Sequence, residues 1–255
     1  MREITSATNP FIKELRALIE TKKARRQSQS FIVEGWRGID TLLRHPSRNY
    51  QLETLVIAPE WIDDPRLPKE IDTVLLPAPL LNKVSDVQNT QGILGIIKHS
   101  PLPFSVPDKG KLLLLDNLRD PGNLGTLIRS AVGAGFDGIL LYGDCVDPYS
   151  PKVIRSTMGT FAYCNLWSIT DQEIEDLQAN GFELCITAGL GGTNLYESRF
   201  SNKTILAIGS EAHGVCDALQ QRATQKITIP LQPQCESLNA AVAGSICMFH
   251  ISNVR

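Results

Sequence analysis

The chain has 255 residues, 42% of them hydrophobic and 20% charged, with a formal net charge of −2. That balance suits a globular protein with a substantial core and excludes a collagenous, disordered or uniformly basic chain. No apolar run approaches the roughly 18 residues of a membrane span, and the opening "MREITSATNPF" lacks a signal-peptide apolar region, so a cytoplasmic protein with no membrane association is expected.

"TNPFIKELRALIE" predicts a helix. Asn9 can cap it, Pro10 suits its first position, and Phe11, Leu15, Leu18 and Ile19 form one apolar face. Lys13, Arg16 and the following "KKARR" lie off that face. Residues 1–50 hold 10 Lys+Arg against 5 Asp+Glu, a charge of +5 in an otherwise acidic chain. A basic element of this kind suits a polyanion, and a solvated face with no partner would look the same. "FIVEG" then reads as a strand and "WRGIDTLLRH" as a helix with Ile39, Leu42 and Leu43 inward. "LETLVIA", "DTVLLP" and "GILGIIK" read as strands, with "APLLNKVSD" a helix between the last two. Residues 1–100 are thus expected to form a small α/β domain. The proline-rich 101–110 is expected to be a linker.

From Lys111 the strands are "KLLLLD", "GILLY", "FAYCNLW", "ELCITA", "TILAIG" and "KITIP". Helices are expected near 124–134, 150–158, 171–180, 215–222 and 237–251. Short continuous apolar strands alternating with helices indicate a parallel sheet covered on both faces, over 111–255. Such sheets bind ligands beyond the carboxyl ends of their strands. The loops after Leu115, Ala188, Ile208 and Ile229 are therefore the ones to inspect.

Taken singly, these loops are ambiguous. In "DNLRDPGN", Asn123 can cap the next helix or face a ligand, and Arg129 is either a snorkelling surface residue or an anion clamp. "GSEAHGV" is either a tight turn or a ligand loop built around Glu211. "PLQPQCESLNAAVAGSICMF" leads into a helix with a small-residue face suited to close packing, with Asn239 in its first turn. The loop "GLGGTNLYES" has no G-K-[ST], and no G-x-G-x-x-G follows the first strand, which disfavours nucleotide-triphosphate and nicotinamide binding. The six cysteines show no paired spacing and read as buried hydrophobes or free thiols; no metal site is expected.

Together and in order, "DNLRDPGNLGTLIRSAVGAG", "AIGSEAHGV" and "IPLQPQCESLNAAVAGSI" resemble the three motifs of the SpoU (TrmH-like) RNA ribose 2′-O-methyltransferases of the SPOUT superfamily. Ala212 stands where the second motif usually has glycine. The segment "ITSATNPFIKELRALIETKKARRQSQSFIVEG" more loosely resembles that family's substrate-binding domain. The resemblance implies an α/β fold: a small α/β substrate-binding domain, then a SPOUT domain with a parallel sheet, helices on both faces and a deep trefoil knot. It implies an S-adenosylmethionine (AdoMet) cofactor held by Gly209, Ile229 and Leu238, with Ala188, Gly189 and Leu190 as additions. It implies a catalytic group of Asn123, Arg129, Glu211, Ser237 and Asn239, no metal, and a homodimer through the knotted domain. RNA is the implied partner, rRNA favoured over tRNA, with Lys22, Lys23, Arg25 and Arg26 as its phosphate contacts. The competing reading is a non-catalytic RNA-binding protein that retains the fold.

Overall fold

The computed structural model describes residues 1–253. The chain forms two compact units, one of residues 1–101 with 147–163, the other of 102–146 and Cys164 onward. The elements of the N-terminal stretch are β1 (Arg2–Glu3), α1 (Pro10–Glu20), α2 (Lys22–Ser28), β2 (Ser30–Glu34), α3 (Trp36–Arg44), β3 (Tyr50–Ile57), β4 (Asp72–Leu75), α4 (Ala78–Val84) and β5 (Ile93–His99). There follow β6 (Gly110–Asp116), α5 (Pro121–Gly133), β7 (Gly138–Tyr142), α6 (Pro151–Ser156), β8 (Leu166–Ser168), α7 (Asp171–Ala179), β9 (Glu183–Thr187), β10 (Thr193–Asn194), β11 (Lys203–Ile208), α8 (Asp217–Arg222), β12 (Gln225–Thr228) and α9 (Ala240–Asn253).

In the first unit Asn9 caps α1 as its sequence predicts, its side-chain oxygen accepting from the Phe11 amide at 2.9 Å. The buried face is Ile12, Leu15 and Leu18, with Phe11 and Ile19 half-buried at its margins. The sheet is mixed, in the order β1-β4-β3-β5-β2. Period-2 alternation splits its side chains between two cores. Ile32, Val56, Leu94 and Ile96 meet α1 and α4 on one face. Phe31, Val33, Leu55, Ile57 and Ile97 lie on the other with Ile39 and Leu42 of α3.

That second face departs from the expected domain division. Ile154 of α6 and Phe161 complete it, so residues 147–163 pack on the first unit, not on the parallel sheet of 111–255. A sheet buried on both faces needs more apolar cover than the nine-residue α3 supplies. Fully burying Phe161 contributes about 1.5–3 kcal/mol. The expected strand "FAYCNLW" is also shorter: Thr160–Tyr163 is a 3-10 turn and only Leu166–Ser168 pairs.

Arg25 is a second departure. It was expected to meet RNA with Lys22, Lys23 and Arg26, but it is 5% exposed. Its Nε pairs with Asp147 at 2.7 Å, and its Nη1 donates to the Leu18 and Ile19 carbonyls at 2.6 and 2.9 Å. Those carbonyls belong to the last turn of α1, where an arginine satisfies acceptors that have no intrahelical donor. Lys22, Lys23 and Arg26 remain exposed.

The second unit is a seven-stranded sheet, parallel throughout, in the order β10-β12-β9-β11-β6-β7-β8. Leu112, Leu114, Ile205 and Ala207 face α7 and α8 through Ile174, Leu177 and Leu219. On the opposite face α9 lies close to α5: a Cβ on Gly244 would stand 2.5 Å from Leu127 Cδ2 and 3.3 Å from Ile208 Cγ1. Ser130 and Ser245 share a hydrogen bond of 2.7 Å across the same helix pair. The small-residue face of α9 is thus used inside the chain.

Candidate active site

The carboxyl ends of β9, β11 and β12 and the start of α9 enclose a cavity of about 380 Å³. Its lining includes Ala188 and Gly189 after β9, Gly209, Ser210 and Glu211 after β11, Ile229 after β12, and Ser237, Leu238 and Asn239 before α9. Eight of these nine are residues that the family resemblance implies as cofactor-binding or catalytic, and one cavity holds them all. Leu190 is not among the lining residues; it is 86% exposed.

The turn after β11 is shaped by backbone. Ser210 and Gly214 exchange two hydrogen bonds, of 3.1 and 2.9 Å, closing a tight loop that carries Glu211. Gly209 is buried beneath this loop, and a Cβ there would overlap the carbonyl carbon of Gly214. Gly209 is therefore required by the loop itself as well as lining the cavity. The loop is anchored from below by Asp116, buried at the end of β6. Its carboxylate accepts from the Cys216 amide at 2.6 Å and from Asn117 Nδ2 at 2.7 Å.

Three polar side chains from separate motifs then join in a directed relay. The amides of Ala241 and Val242 donate to Asn239 Oδ1 at 2.9 and 3.2 Å, so Asn239 is the N-cap of α9. Asn239 Nδ2 donates to Asn123 Oδ1 at 3.0 Å. Asn123 Nδ2 donates to Glu211 Oε1. Each amide has one end fixed by an unambiguous partner, helix amides at one terminus and a carboxylate at the other, so both orientations are determined by the network. Asn123 is free for this because it does not cap α5. Asp120 does, accepting from the Asn123 amide at 2.7 Å. An aspartate directly before proline at a helix start is a capping signature, and Asp120-Pro121 carries it in the sequence. The start of α9 likewise falls at Ala240, later than expected.

Arg129 lies on α5, whose buried residues are Leu124, Gly125, Leu127, Ile128 and Ala131. It is exposed and does not line the cavity. No hydrogen bond or ion pair engages its guanidinium among the described residues. Ser237 is exposed at the cavity rim. Burial pushes the Cys185 and Cys247 thiols up to about 12, which makes them inert packing groups. Among the described residues there is no group of three His, Cys, Asp or Glu able to hold a metal ion, and no helix is long and apolar enough to cross a membrane.

Residues 110–249 match the SpoU rRNA Methylase family, and residues 9–95 match the MRM3-like substrate binding domain. The chain belongs to the SpoU rRNA methylase family. This SpoU protein is 32% identical to the 23S rRNA (guanosine(2553)-2′-O)-methyltransferase RlmP of Bacillus subtilis, over 98% of this chain and 99% of that one. Its fold is similar to that of an AdoMet-bound rRNA methyltransferase from Sinorhizobium meliloti, with a TM-score of 0.85, 29% identity, and coverage of 98% of this chain and 96% of that one. The SpoU match spans the segments that supply the cavity and the Asn239–Asn123–Glu211 relay.

Proposed function

We propose that this protein transfers a methyl group from AdoMet to a ribose 2′-hydroxyl of ribosomal RNA. The observation that carries the reading is the 380 Å³ cavity at the carboxyl ends of β9, β11 and β12, edged by the Asn239–Asn123–Glu211 relay. The rRNA class follows the relatives, whose names specify rRNA.

The residues present fit AdoMet. The apolar side chains of Ile229 and Leu238 suit an adenine ring, and Ser210, Glu211, Ser237 and Asn239 supply polar partners for the remainder. AdoMet supplies an electrophilic methyl group on a sulfonium. The chain contributes position and charge. Asn123 and Asn239, locked in one orientation, offer fixed dipoles beside the carboxylate of Glu211. Pre-set geometry is the largest lever for an in-line displacement. Arg129 is exposed and without a protein partner, so it is available to an RNA phosphate. A guanidinium stays protonated, which suits it to hold that phosphate and stabilise charge developing on the attacking oxygen better than to act as a base.

Three further features belong to the same proposal. The strand order β12-β9-β11-β6, with α9 drawn back onto α5, supports a knotted C-terminal region. A homodimer is supported by Val242 and Phe249, each 47% exposed and seven residues apart on one face of α9. A cytoplasmic location belongs to the same reading.

The test is calorimetric titration of AdoMet, followed by methyl transfer to ribosomal RNA from a strain lacking the gene, with 2′-O-methyl sites mapped. Binding and one new methylated ribose support the reading. Absence of AdoMet binding, or binding with no ribose methylation of ribosomal RNA, overturns it.

A further inference from the structure

A second cavity lies wholly within the first unit, between the start of α3 and the turn after α6, with a volume of about 210 Å³. Val33, Ile154 and Phe161 give it apolar walls, Glu34 brings a negative charge to its lining, and Arg37 and Arg155 bring positive ones, with Gln91 a neutral polar group. Glu34 and Arg155 are each only half satisfied. Glu34 Oε1 accepts from Ser85 Oγ at 2.5 Å, and its second oxygen has no protein partner among the described residues. Arg155 Nη2 pairs with Asp86 at 2.8 Å, while its Nη1 is buried with no partner. Another wall is the turn at Met158 and Gly159, consecutive residues with φ of 54° and 92°. A methionine in the left-handed region is uncommon and signals a conformation imposed by its surroundings.

An apolar cavity of roughly 150 Å³ accommodates benzene. This one is larger and is lined by a carboxylate and by guanidinium groups, so it suits a planar bicyclic ring with donors on one edge and acceptors on the next. Guanine has that pattern. Its N1–H and N2–H groups match a carboxylate, and its O6 and N7 match an arginine. Adenine, cytosine and uracil lack the paired donors. RNA-binding domains read single-stranded bases in this manner, splayed from the stack and bonded along their edges.

We propose that this cavity receives one unstacked guanine base of the RNA, with Glu34 accepting from N1–H and N2–H and Arg155 donating to the O6 and N7 edge. The proposal rests on the reading of the chain as an enzyme acting on RNA. It assigns base selection to the first unit, separately from the cavity beside the Asn239–Asn123–Glu211 relay.

The three methionines are Met1, Met158 and Met248. Met158 is 40% exposed at the cavity, and Met248 is buried in α9. With ¹³C-methyl-methionine protein, GMP should shift the Met158 signal and leave Met248 still. Binding should be several-fold weaker for IMP, which lacks only the N2 amine, and weaker again for AMP, CMP and UMP. Glu34→Gln retains an oxygen for Ser85 and should lose the preference for GMP over IMP. No shift of Met158 at millimolar GMP overturns the proposal, as does equal affinity for all five nucleotides. So does a Glu34→Gln variant with unchanged preference. AdoMet binding and methyl transfer are measured on the same sample. A protein that methylates ribosomal RNA but leaves Met158 unmoved by GMP refutes the guanine site alone. A protein that binds no AdoMet refutes the proposed function, whatever Met158 reports.

Discussion

Asn239 and Asn123 lie 116 positions apart in the chain, and the Nδ2 of the first donates to the Oδ1 of the second at 3.0 Å. The same Asn239 caps α9 through its Oδ1. One side chain thus starts the last helix and fixes the orientation of the amide that meets Glu211. Its two duties separate by substitution. Asn239→Asp keeps a capping oxygen, since aspartate caps about as well as asparagine, but it has no donor for Asn123. Thermal stability should stay near wild type while methyl transfer falls about tenfold or more, a loss of ~1.4 kcal/mol of transition-state stabilisation. Asn239→Ala should lose both, with about 1 kcal/mol of stability gone.

The cavity wall offers a cleaner test of cofactor placement than Gly209. A valine side chain at Gly209 would intrude on the space that AdoMet is proposed to fill. The overlap of its Cβ with Gly214 means the variant should also unfold more easily. Ala243 lines the same cavity from α9, where leucine is a good helix former. Ala243→Leu should abolish AdoMet binding in calorimetry while the circular dichroism spectrum and melting temperature change little. Normal affinity in a folded Ala243→Leu protein would count against the placement.

Arg129→Ala should leave most RNA affinity in place. At saturating RNA its methyl-transfer rate should fall by roughly 10²–10³, the scale for loss of one transition-state donor. Near-normal turnover would make Arg129 an ordinary surface arginine.

The basic N-terminal cluster should divide in two. Arg25→Ala leaves the Asp147 carboxylate without its cationic partner and two α1 carbonyls unbonded, and should cost about 3–5 kcal/mol in denaturant unfolding. Replacing Lys22, Lys23 and Arg26 with alanine should leave stability nearly unchanged. It should weaken RNA binding and reduce the slope of log affinity against log salt by up to about 3. An unchanged slope would remove these residues from the RNA contact.

His99 stacks on Tyr149, ring centroids 4.4 Å apart, with its Nδ1 buried and unpartnered. Burial holds its pKa below the ordinary histidine value. Asp147 opposes that shift and Lys98 adds to it. Below about pH 6.5 the unfolded chain takes up a proton that the folded unit does not. Its contribution to stability is therefore present above that pH and is lost as pH falls toward the lower folded value. Melting temperature should decline from pH 7 to pH 5, and His99→Phe should make the decline shallower. An unchanged slope would show that His99 does not titrate in this window.

Much of the fold was legible because the signals are local. Continuous apolar runs such as "KLLLLD" and "TILAIG" specify strands buried on both faces, and alternation with helices specifies their parallel arrangement. Capping at Asn9 depends on two neighbouring residues. The loops that form the cavity could be located because parallel strands place their carboxyl ends together. The glycine, asparagine and glutamate positions within those loops were readable as motif residues.

What the sequence could not determine was partner choice across long separations. Arg25 is one of four basic residues in five positions, identical in charge to its neighbours. Only the packing of residue 147 beside α1 makes it a buried structural cation. Leu190 stands beside two residues that line the cavity, yet the turn after β9 carries it into solvent. Residues 147–163 read as one more helix and strand of the parallel unit. They went elsewhere because the second face of the N-terminal sheet lacked apolar cover that its own segment did not supply. Periodicity says that a side chain will be buried; which surface buries it is decided by the free energy of the whole assembled core.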